Sequence, residues 1–363
     1  MQKSPLRAVH ESAGARLRPE EAGGQVITYG DVPAEYAAGT QEGALLLDVT
    51  TRGLLTVMGK DARDFLHRIL ANDIKGLTSG QGNRNLLLTG KGKIVSMFDL
   101  CCLGQGFLLS TPPGQAGPLR DALDMYLFTE DVTLADETEA HAPIEIVGPG
   151  AAEIIESVLP DFDPTSDTPH TFQFVPFHLD DSDDSDAAAM TKVTPMLVAG
   201  RSGFRLETEP EHVAELWRVL QEFGATPGGL VAYDSLRAES VAGEFGRDIT
   251  DDVYPQEARL EDAFSLTKGC YIGQEVVAKI DTYGGLNKRL FRLRVSHDDP
   301  VAPGTRILRS IDGESRDLGV VTTWAYSFEA DGGVVLGYLK RKHQEPGTEF
   351  LLGETGATAV LQD

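Results

Sequence analysis

The segment Lys268-Gly-Cys-Tyr-Ile-Gly-Gln-Glu275 carries the densest local information in this chain of 363 residues. Gly269 and Gly273 flank a Cys-Tyr-Ile triplet, so the backbone is expected to turn tightly on both sides of it. The pattern over 274–280 predicts a helix, which places Cys270 just ahead of a helix N-terminus. That terminus and the lysine two residues before the cysteine both favour thiolate over thiol. The sequence therefore predicts an accessible, reactive cysteine.

The alternative for Cys270 is core packing, because most free cysteines are small buried hydrophobes. Cys101 and Cys102 differ from it, since they are neighbours in an apolar strand and are predicted to pack in the core, one on each face. The chain has 3 cysteines in all, which fits a reducing compartment and no disulfide scaffold. An iron–sulfur cluster usually takes four thiolates. Any cluster would therefore be shared with a partner or a second copy.

The composition excludes several classes of protein. With 32 basic and 56 acidic residues, the formal charge of −24 repels phosphate backbones, so direct nucleic-acid binding is not expected. No apolar run approaches the ~18 residues that cross a bilayer, and the N-terminus lacks the apolar core of a secretory signal. We therefore expect a cytoplasmic protein without membrane contact. A Ser/Asp stretch predicts a solvated loop, with metal binding as the alternative; its acidic residues are Asp180, Asp181, Asp183, Asp184 and Asp186.

The first half of the chain predicts a mixed α/β region. Residues 1–24 are polar and predict a flexible tail. Four strands are then predicted, over Ala44–Val49, Leu54–Met58, Asn85–Thr89 and Lys93–Cys102. The last two form a hairpin around Gly90-Lys91-Gly92, whose spacing does not match a nucleotide P-loop.

Three amphipathic helices are predicted after Asp61, near Pro118 and over Glu209–Phe223. Asp61 is expected to cap the first helix. Thr208 and Glu211 predict a capping box for the third, and Gly224 its end. From residue 291 onward, short alternating strands predict a separate all-β domain over 291–363. Its strands are expected over Leu290–Val295, Gly319–Thr323, Val334–Leu339, Phe350–Leu352 and Ala357–Leu361.

Pro255-Gln-Glu-Ala258, followed by Lys268 to Glu275, resembles the signature of the YgfZ family. These are folate-binding proteins implicated in the assembly or repair of iron–sulfur clusters and, through such enzymes, in tRNA modification. More of the chain resembles the wider aminomethyltransferase superfamily, which includes the glycine-cleavage T-protein. The segments that carry this second resemblance are Leu46–Val49, Phe65–Asp73, Gly80–Gly82, Leu236–Glu239, Leu318–Thr322 and Leu336–Tyr338.

The resemblance implies an α+β fold around a central, folate-type channel. Two α/β lobes, possibly interleaved, would occupy 25–290, and a C-terminal β-barrel would follow over 291–363. The channel would hold tetrahydrofolate or a one-carbon derivative. Iron–sulfur enzymes or cluster carriers are the partners that the YgfZ resemblance implies, and no permanently bound metal is expected.

Several positions depart from the T-protein pattern. Its acidic pair, which positions the folate nitrogen, falls on Ser96 and Met97, with Asp99 two residues beyond. Its tyrosine on the preceding strand falls on Arg84, and its pterin-binding glutamate on Arg201. A cation cannot accept the hydrogen bonds that a pterin ring donates. T-protein catalysis is therefore not expected.

The superfamily pattern also suggests folate contacts. Arg237 falls in a folate-contacting segment, where a guanidinium would suit the glutamate carboxylates. The alternative is an ion pair with Asp234 or Glu239. Asn72 and Asp73 end a helix that faces the implied channel, although such residues are also ordinary at a helix C-terminus.

The residues around the cysteine complete the expected site. Lys268, Tyr271 and Gln274 are expected to line the channel beside Cys270. Glu275 is a first-turn residue that favours the helix dipole.

Three functions follow from these patterns. The first is a tetrahydrofolate-binding accessory factor for iron–sulfur enzymes, in which Cys270 acts in thiol, redox or one-carbon chemistry. The second is an aminomethyltransferase of the glycine-cleavage type, which requires an acidic residue at the folate nitrogen. The third is a non-catalytic, folate-responsive binding module, which would tolerate Cys270→Ser.

Overall fold

The computed structural model describes residues 3–165, 168–178, 188–353 and 356–362. The predicted acidic loop with Asp180 to Asp186 lies outside the described residues. The described strands form a two-stranded ribbon, a six-stranded sheet, a five-stranded sheet and a closed six-stranded barrel. Among the helices of the described ranges, none combines the length and the apolar character that crossing a bilayer requires.

The helices are α1 (Arg7–Ser12), α2 (Val32–Ala38), α3 (Ala62–Ile69), α4 (Ala116–Asp124), α5 (Ala151–Val158), α6 (Val213–Glu222), α7 (Leu230–Glu239) and α8 (Gln274–Tyr283). The strands of the first half are β1 (Arg16–Leu17), β2 (Val26–Thr28), β3 (Ala44–Asp48), β4 (Gly53–Met58), β5 (Gly82–Leu88), β6 (Ile94–Cys102), β7 (Gly106–Thr111), β8 (Thr133–Asp136) and β9 (Ala142–Val147). The second half adds β10 (Gln173–His178), β11 (Ala188–Val198), β12 (Arg201–Thr208), β13 (Ala225–Gly228), β14 (Lys288–Val295), β15 (Arg306–Ile311), β16 (Glu314–Ser327), β17 (Gly332–Lys340), β18 (Glu349–Leu352) and β19 (Ala357–Leu361).

The six-stranded sheet runs in the order β10-β11-β12-β9-β3-β13 and is covered on both faces. Successive side chains of a strand point to opposite faces. Ala44 and Leu46 of β3 accordingly pack with α5 and α6. Leu45 and Leu47 pack with α2 and α7 on the other face. Because neither face meets water, residues Ala44–Leu47 of this strand are all apolar.

The five-stranded sheet, β5-β6-β7-β4-β8, is inserted in the chain between β3 and β9. The predicted hairpin is confirmed as β5 and β6. Helices α3 and α4 cover this sheet with Phe65, Leu66, Leu119 and Leu123. Asp61 makes no capping bond within α3. Its carboxylate instead accepts a 2.8 Å hydrogen bond from the Asp131 amide, so it holds a neighbouring loop rather than its own helix.

The C-terminal strands close into a barrel in the order β14-β17-β16-β15-β18-β19. Each predicted strand of this domain is present, and the first begins at Lys288. Strand β15 was not predicted, because its charged residues Arg306 and Arg309 interrupt the apolar pattern. The architecture is two α/β lobes with a C-terminal barrel, as expected.

The N-terminal segment is packed against the six-stranded lobe. Leu6 is 0% exposed and His10 1%. His10 contacts Asp48 through Nε2 at 2.8 Å and the Tyr29 hydroxyl through Nδ1 at 2.6 Å. This packing corrects the expectation of a flexible tail over residues 1–24. The segment reads as polar because its few apolar residues are widely spaced, yet those residues are the ones that pack.

The predicted capping box of the third helix does not form. Helix α6 starts at Val213, four residues later than predicted, and His212 occupies the N-cap position without a side-chain cap. Thr208 ends strand β12, and its buried hydroxyl finds no hydrogen-bond partner within the ranges that the structure describes. Strand pairing therefore prevailed over the local capping signal. The predicted end of the helix at Gly224, with φ +100°, is confirmed.

Candidate functional site

A cavity of about 530 Å³ lies where the two sheets meet the segment 240–262. We call it the central cavity. Strand β6 contributes Met97 and Asp99 to its wall, and β11 contributes Met196 to Val198. The other lining residues include Arg52, Arg84, Glu145, Arg205, Tyr233, Glu244, Phe245, Arg259, Leu260, Glu261 and Asp262. A cavity of this size, lined by apolar side chains together with charged ones, is a candidate small-molecule site.

Charged residues from both sheets meet in the wall of this cavity. Arg205 of β12 binds Glu145 through Nε and Nη2 at 3.0 and 2.8 Å. Its Nη1 binds Asp99 of β6 at 2.9 Å. Arg52 and Arg84 approach the same Asp99 carboxylate at 3.6 Å each. Asp99 is therefore held by three guanidinium groups and joins the two lobes.

The pKa shifts follow this charge arrangement. Burial alone would raise the pKa of Asp99, but Arg205, Arg84, His170 and Arg52 outweigh it and hold that pKa well below its usual range. Burial, followed by repulsion from Arg205, lowers the pKa of Arg52. Asp99 is therefore ionised at neutral pH, and its carboxylate is paired with arginines.

The positions that depart from the T-protein pattern can now be placed. Met97 lines the central cavity, whereas Ser96 is 2% exposed and its hydroxyl has no hydrogen-bond partner among the described residues. Asp99 lies on the same face of β6 as Met97, one pleat further on. Arg84 faces the cavity. Arg201 instead pairs with Glu239 at 3.1 Å.

Strained backbone is concentrated around the central cavity. Its lining residues Ala199, Val241 and Arg259 have φ values of +50°, +53° and +61°. For a β-branched residue such as Val241 this left-handed conformation is strongly disfavoured. Such conformations persist where the surrounding structure holds them, and they cluster at functional sites. The cavity is thus a strong candidate for a ligand site.

Arg237 lies outside the lining of this cavity. Its side chain is 1% exposed and binds Asp234 at 2.7 Å and Asp248 at 2.6 Å. Its Nη2 donates to the Thr323 hydroxyl on β16 at 2.9 Å. The structure therefore corrects the expected placement of Arg237 at the channel and supports the ion-pair alternative with Asp234. The residue joins α7 to the barrel.

Asn72 and Asp73 follow α3 and lie beside residues that line the central cavity. The Asn72 side chain donates to the carbonyls of Arg84 and Asp262, which both line the central cavity. Asp73 accepts from the amides of Lys75 and Gly76 and lies 3.3 Å from His67. Both side chains are engaged with the protein itself. They shape the wall rather than present free groups to a ligand.

Cys270 is exposed, and its loop has the predicted geometry. Gly269 and Gly273 have φ values of +105° and +82°, in the left-handed region that favours glycine. Helix α8 begins at Gln274, as predicted. A Cβ on Gly273 would lie 2.5 Å from the Thr89 carbonyl, because the β5–β6 hairpin packs against this turn. The loop is fixed by its glycines, and its thiol faces solvent.

The thiol lines a groove of about 510 Å³, which we call the thiol groove. Its other lining residues are Asp61, Asp64, Phe65, His67, Arg68, Lys75, Thr129 and Glu130. None of them lines the central cavity. Cys270 therefore lies in a second depression, although it was expected beside the folate channel. His67 and Arg68 line the thiol groove, and Asn72, a few residues on, donates to two residues in the wall of the central cavity.

Lys268 packs beside the thiol groove against α3. Its ammonium donates to the His67 carbonyl, and His67 Nε2 lies 3.1 Å from the Lys268 carbonyl. Burial lowers the pKa of Lys268 to about 8, with Asp73 opposing the shift. Burial and then Lys268 lower the pKa of His67. Neutral forms of both groups are therefore accessible near physiological pH.

Lys268, Tyr271 and Gln274 were expected to line the channel, but none of the three lines the central cavity. Tyr271 is 7% exposed and packs in the cluster that joins the five-stranded lobe to the barrel. Its hydroxyl has no partner among the described residues, and burial raises its pKa to about 12. Gln274 is the first residue of α8, and Glu275 pairs with Lys279 at 2.6 Å on the surface. Tyr271 anchors the loop from which Cys270 projects.

The other two cysteines are buried, as predicted. Cys102 packs in the core of the five-stranded lobe, and Arg63 donates to its sulfur at 3.1 Å. Cys101 faces the other lobe, with its sulfur 3.8 Å from the Lys192 ammonium. Burial raises the pKa of Cys101 to about 11. Neither sulfur shares the thiol groove with Cys270.

One group among the described residues has the ligand count for a metal. It consists of Glu209, Glu211 and His212, whose ligand atoms lie within 4.8 Å of one another. All three lie at the surface before α6, outside the lining of both depressions.

The profile of the GCVT N-terminal domain family matches residues 6–268. The chain belongs to the aminomethyltransferase, or T-protein, superfamily. It is 30% identical to an aminomethyltransferase of Herpetosiphon aurantiacus over 324 residues, covering 89% of this chain and 86% of that protein. It is 27% identical over 313 residues to a chloroplast protein of Arabidopsis thaliana named only as a candidate transferase, covering 86% of this chain and 69% of that protein.

The fold of this superfamily member matches a solved T-protein. The crystal structure of the glycine cleavage system aminomethyltransferase T from Bartonella henselae covers 100% of this chain, with 97% of its own length aligned. The TM-score is 0.84 at 23% sequence identity. This likeness confirms the predicted fold class of two lobes and a barrel.

Sequence reasoning did not identify Arg52, Arg205 or His67 as site residues. Arg205 and Glu207 alternate with the apolar Phe204 and Leu206, a pattern that normally indicates a solvated strand face. In this superfamily member that face meets the second lobe, so Arg205 is buried against Asp99, while Glu207 is buried against Lys192. Only the tertiary structure, in which the two lobes pack together on this face, shows that these charged side chains are buried.

Proposed function

We propose that this protein binds a tetrahydrofolate-type ligand in its central cavity and acts through Cys270 as an accessory factor for iron–sulfur enzymes. By that route it would contribute to tRNA modification. The observation that carries the proposal is an exposed thiol on a glycine-bounded loop of a T-protein fold. The resemblance also puts Ser96 and Met97, neither of them acidic, at the acidic pair of the T-protein. The resemblance of 255–258 and 268–275 to the YgfZ signature supports the same function.

The cavity residues suit a folate-type ligand. The volume of about 530 Å³ and the apolar wall with Met97, Phe245 and Leu260 can take an aromatic ring system. Arg52 and Arg84 supply cationic donors for a carboxylate-bearing ligand. When bound, the folate would supply a one-carbon carrier. The residues of this chain would bind and orient it.

Cys270 is the group that can reach a partner. Its sulfur is exposed, while the Cys101 and Cys102 sulfurs are buried. A single thiol cannot hold a cluster, so any cluster would need ligands from the partner. Lys268, whose pKa is about 8, can give or take a proton beside the thiol groove.

The surface beside the thiol groove supports docking of a protein partner. Met125 and Phe128 are 69% and 84% exposed on the turn that follows α4. Glu130 fixes this turn by accepting from the Phe128 and Thr129 amides at 3.0 Å each and from Arg68 at 2.6 Å. These bonds lower the pKa of Glu130 to about 2. Methionine and aromatic residues are enriched at protein interfaces, so we assign this turn to the iron–sulfur enzyme or cluster carrier.

The test is complementation of a strain that lacks its own YgfZ-type protein, combined with tetrahydrofolate titration by calorimetry. Wild type should rescue, and Cys270→Ala and Cys270→Ser should not, while both variants keep folate binding. Thr267→Ala is the matched control, because it changes the same exposed loop and leaves the thiol. Phe128→Ser should weaken rescue without changing folate binding. Full rescue by Cys270→Ser would contradict the role of the thiol and favour a non-catalytic binding module.

Aminomethyl transfer is the second candidate, because relatives over most of their length carry that name. Two features argue against it. Asp99 is already paired with arginines, and Met97 falls on the acidic pair of the T-protein without being acidic. Glycine-cleavage assays with a lipoyl carrier protein separate the two functions. No turnover is expected, and robust turnover would reverse the ranking.

Localisation and partners stay predictions within this proposal. The accessible thiol fits the reducing cytoplasm. The charge of −24 disfavours direct contact with tRNA, so the effect on tRNA would pass through enzymes.

A further inference from the structure

We propose that Arg52 and Arg84 form a carboxylate subsite in the central cavity, which takes the glutamyl carboxylates of the folate. The inference rests on the proposed folate function and deepens it, because it names the part of the ligand that this wall recognises. It places a cationic pair at the wall that includes Met97, the position that falls on an acidic residue of the T-protein.

The first step is a contrast between three arginines around one carboxylate. Arg205 makes short bonds, at 2.9 Å to Asp99 and at 2.8 and 3.0 Å to Glu145. Arg52 and Arg84 reach Asp99 only at 3.6 Å. Arg205 thus shares its charge between Asp99 and Glu145 and makes the short bonds to both. Arg52 and Arg84 are oriented by their long contacts to Asp99, but these contacts use few of their hydrogen-bond donors.

The second step is the inventory of donors. A guanidinium carries five N–H donors. Over the described ranges, the hydrogen bonds of the Arg52 side chain amount to one of 3.5 Å, to Ser110. Those of the Arg84 side chain amount to one of 3.4 Å, to Asp262. The two side chains are 19% and 21% exposed, and both line the central cavity. Most of their donors therefore face the space that a ligand would fill.

The third step is the local charge. The charged lining residues are four arginines, Arg52, Arg84, Arg205 and Arg259, and five carboxylates, Asp99, Glu145, Glu244, Glu261 and Asp262, so the lining has a net charge of 4 − 5 = −1. Glu244 and Glu261 are bonded to Arg247 and Arg289 at 2.9 and 2.8 Å. Asp262 is the long contact of Arg84. Three arginines lie within 3.6 Å of the single carboxylate of Asp99, so positive charge is concentrated at this point of the lining.

The fourth step identifies the ligand group. A planar guanidinium pair binds carboxylates with bidentate, charge-assisted hydrogen bonds. Folates carry such carboxylates on the glutamyl end and none on the pterin end. Repulsion from Arg205, after burial, lowers the pKa of Arg52, and a bound anion would relieve that repulsion. The glutamyl end of the ligand therefore lies against β5 and the turn before β4.

Calorimetric titration with three probes tests this assignment. Tetrahydrofolate is the whole ligand, N-(4-aminobenzoyl)glutamate carries its carboxylates, and 6-methyltetrahydropterin carries its ring. For Arg52→Gln and Arg84→Gln, the first two probes should bind about tenfold more weakly or worse, as expected for lost bonds to a charged group. Binding of the pterin probe should not change. Arg84→Lys keeps the charge without the planar fork and should give a smaller loss.

The matched control is Arg306→Gln, which makes the same change of charge at an exposed arginine paired with Asp317 on the barrel. It should leave the affinity for each probe unchanged. Thermal unfolding of every variant checks the fold. Equal weakening for both half-ligands, loss confined to the pterin probe, or no loss at all would overturn the subsite while folate binding stands. Failure of the wild type to bind any probe would refute the folate function itself.

Discussion

The α7 segment Leu236–Glu239 and the loop Lys268–Gly273 both carry family motifs. The arginine of the first is buried, whereas the cysteine of the second is exposed. Arg237 of the first is 1% exposed, and its partners Asp234, Asp248 and Thr323 are all within the protein. Cys270 of the second is exposed between two left-handed glycines. The first segment joins a lobe to the barrel, and the second presents a thiol. A distinctive motif thus marks a constraint without saying whether packing or chemistry imposes it.

The reason lies in the partners that each fold position supplies. Asp248 is 0% exposed in its side chain, so it requires a cation and receives Arg237. Within the described part of the chain, Cys270 has no hydrogen-bond or ion-pair partner, and its neighbour Tyr271 anchors the loop in the core. Asp248 and Arg237 therefore form a buried ion pair that stabilises the fold. The Cys270 thiol, beside the buried Tyr271, stays exposed to solvent.

The largest effect is expected from removing Arg237. Arg237→Met leaves Asp248 as a buried charge without its cation, which should lower the free energy of unfolding by about 3–5 kcal/mol. Arg84→Gln is the control, and it should cost less than about 1 kcal/mol because Asp99 keeps Arg205. Urea denaturation measures both. A small loss for Arg237→Met would mean that α7 and the barrel are joined by other contacts.

The next effect concerns thiol accessibility. Cys270 should react with iodoacetamide at least about a hundredfold faster than Cys101 and Cys102, because buried thiols react only through opening of the fold. Mass spectrometry of the native protein after a short pulse measures the three rates. Unfolding in urea should make the rates similar. Comparable native rates would show that the two buried cysteines are accessible and would remove the contrast.

A smaller effect is expected from Lys268. Its pKa of about 8 lies below the unfolded value near 10.4, so the unfolded chain binds more protons between those pH values. Stability should therefore rise with pH from about 8 to 10, by on the order of 1 kcal/mol. Lys268→Met should lack this increment in denaturation at pH 7.5 and 9.5. The same pH dependence in both proteins would show that Lys268 is solvated.

The smallest effect is expected at the anchor of the loop. Tyr271→Phe removes a buried hydroxyl that has no partner among the described residues, so stability should change by less than about 1 kcal/mol. Rescue in the complementation assay should be retained. Tyr271→Ala, by contrast, should cost several kcal/mol through lost packing. A functional defect in Tyr271→Phe would place the hydroxyl in the chemistry.

Local signals predicted much of this molecule. The glycines that bound the Cys270 loop, the start of α8, the β5–β6 hairpin and the all-β nature of the C-terminal domain were predicted from residue patterns, because turns and alternation are short-range. The barrel form of that domain was implied by the family resemblance. The Thr208–Glu211 box failed because a strand claimed Thr208. The superfamily pattern predicted a folate contact at Arg237, but the side chain is buried and pairs with Asp234 and Asp248. Arg52 and Arg205 were missed because their shared partner Asp99 is distant in the sequence.

Residue patterns by themselves determined most of the strands, the glycine turns, the all-β nature of the C-terminal domain and one exposed thiol between two glycines. These depend on backbone geometry and on side chains a few positions apart. Only the tertiary structure decided which charges are neutralised. Asp99 and Arg205 come from different sheets, and their bond at 2.9 Å exists only after the two lobes pack. Electrostatic pairing depends on distance in space, and that distance leaves Arg205 satisfied and Arg52 and Arg84 open to the cavity.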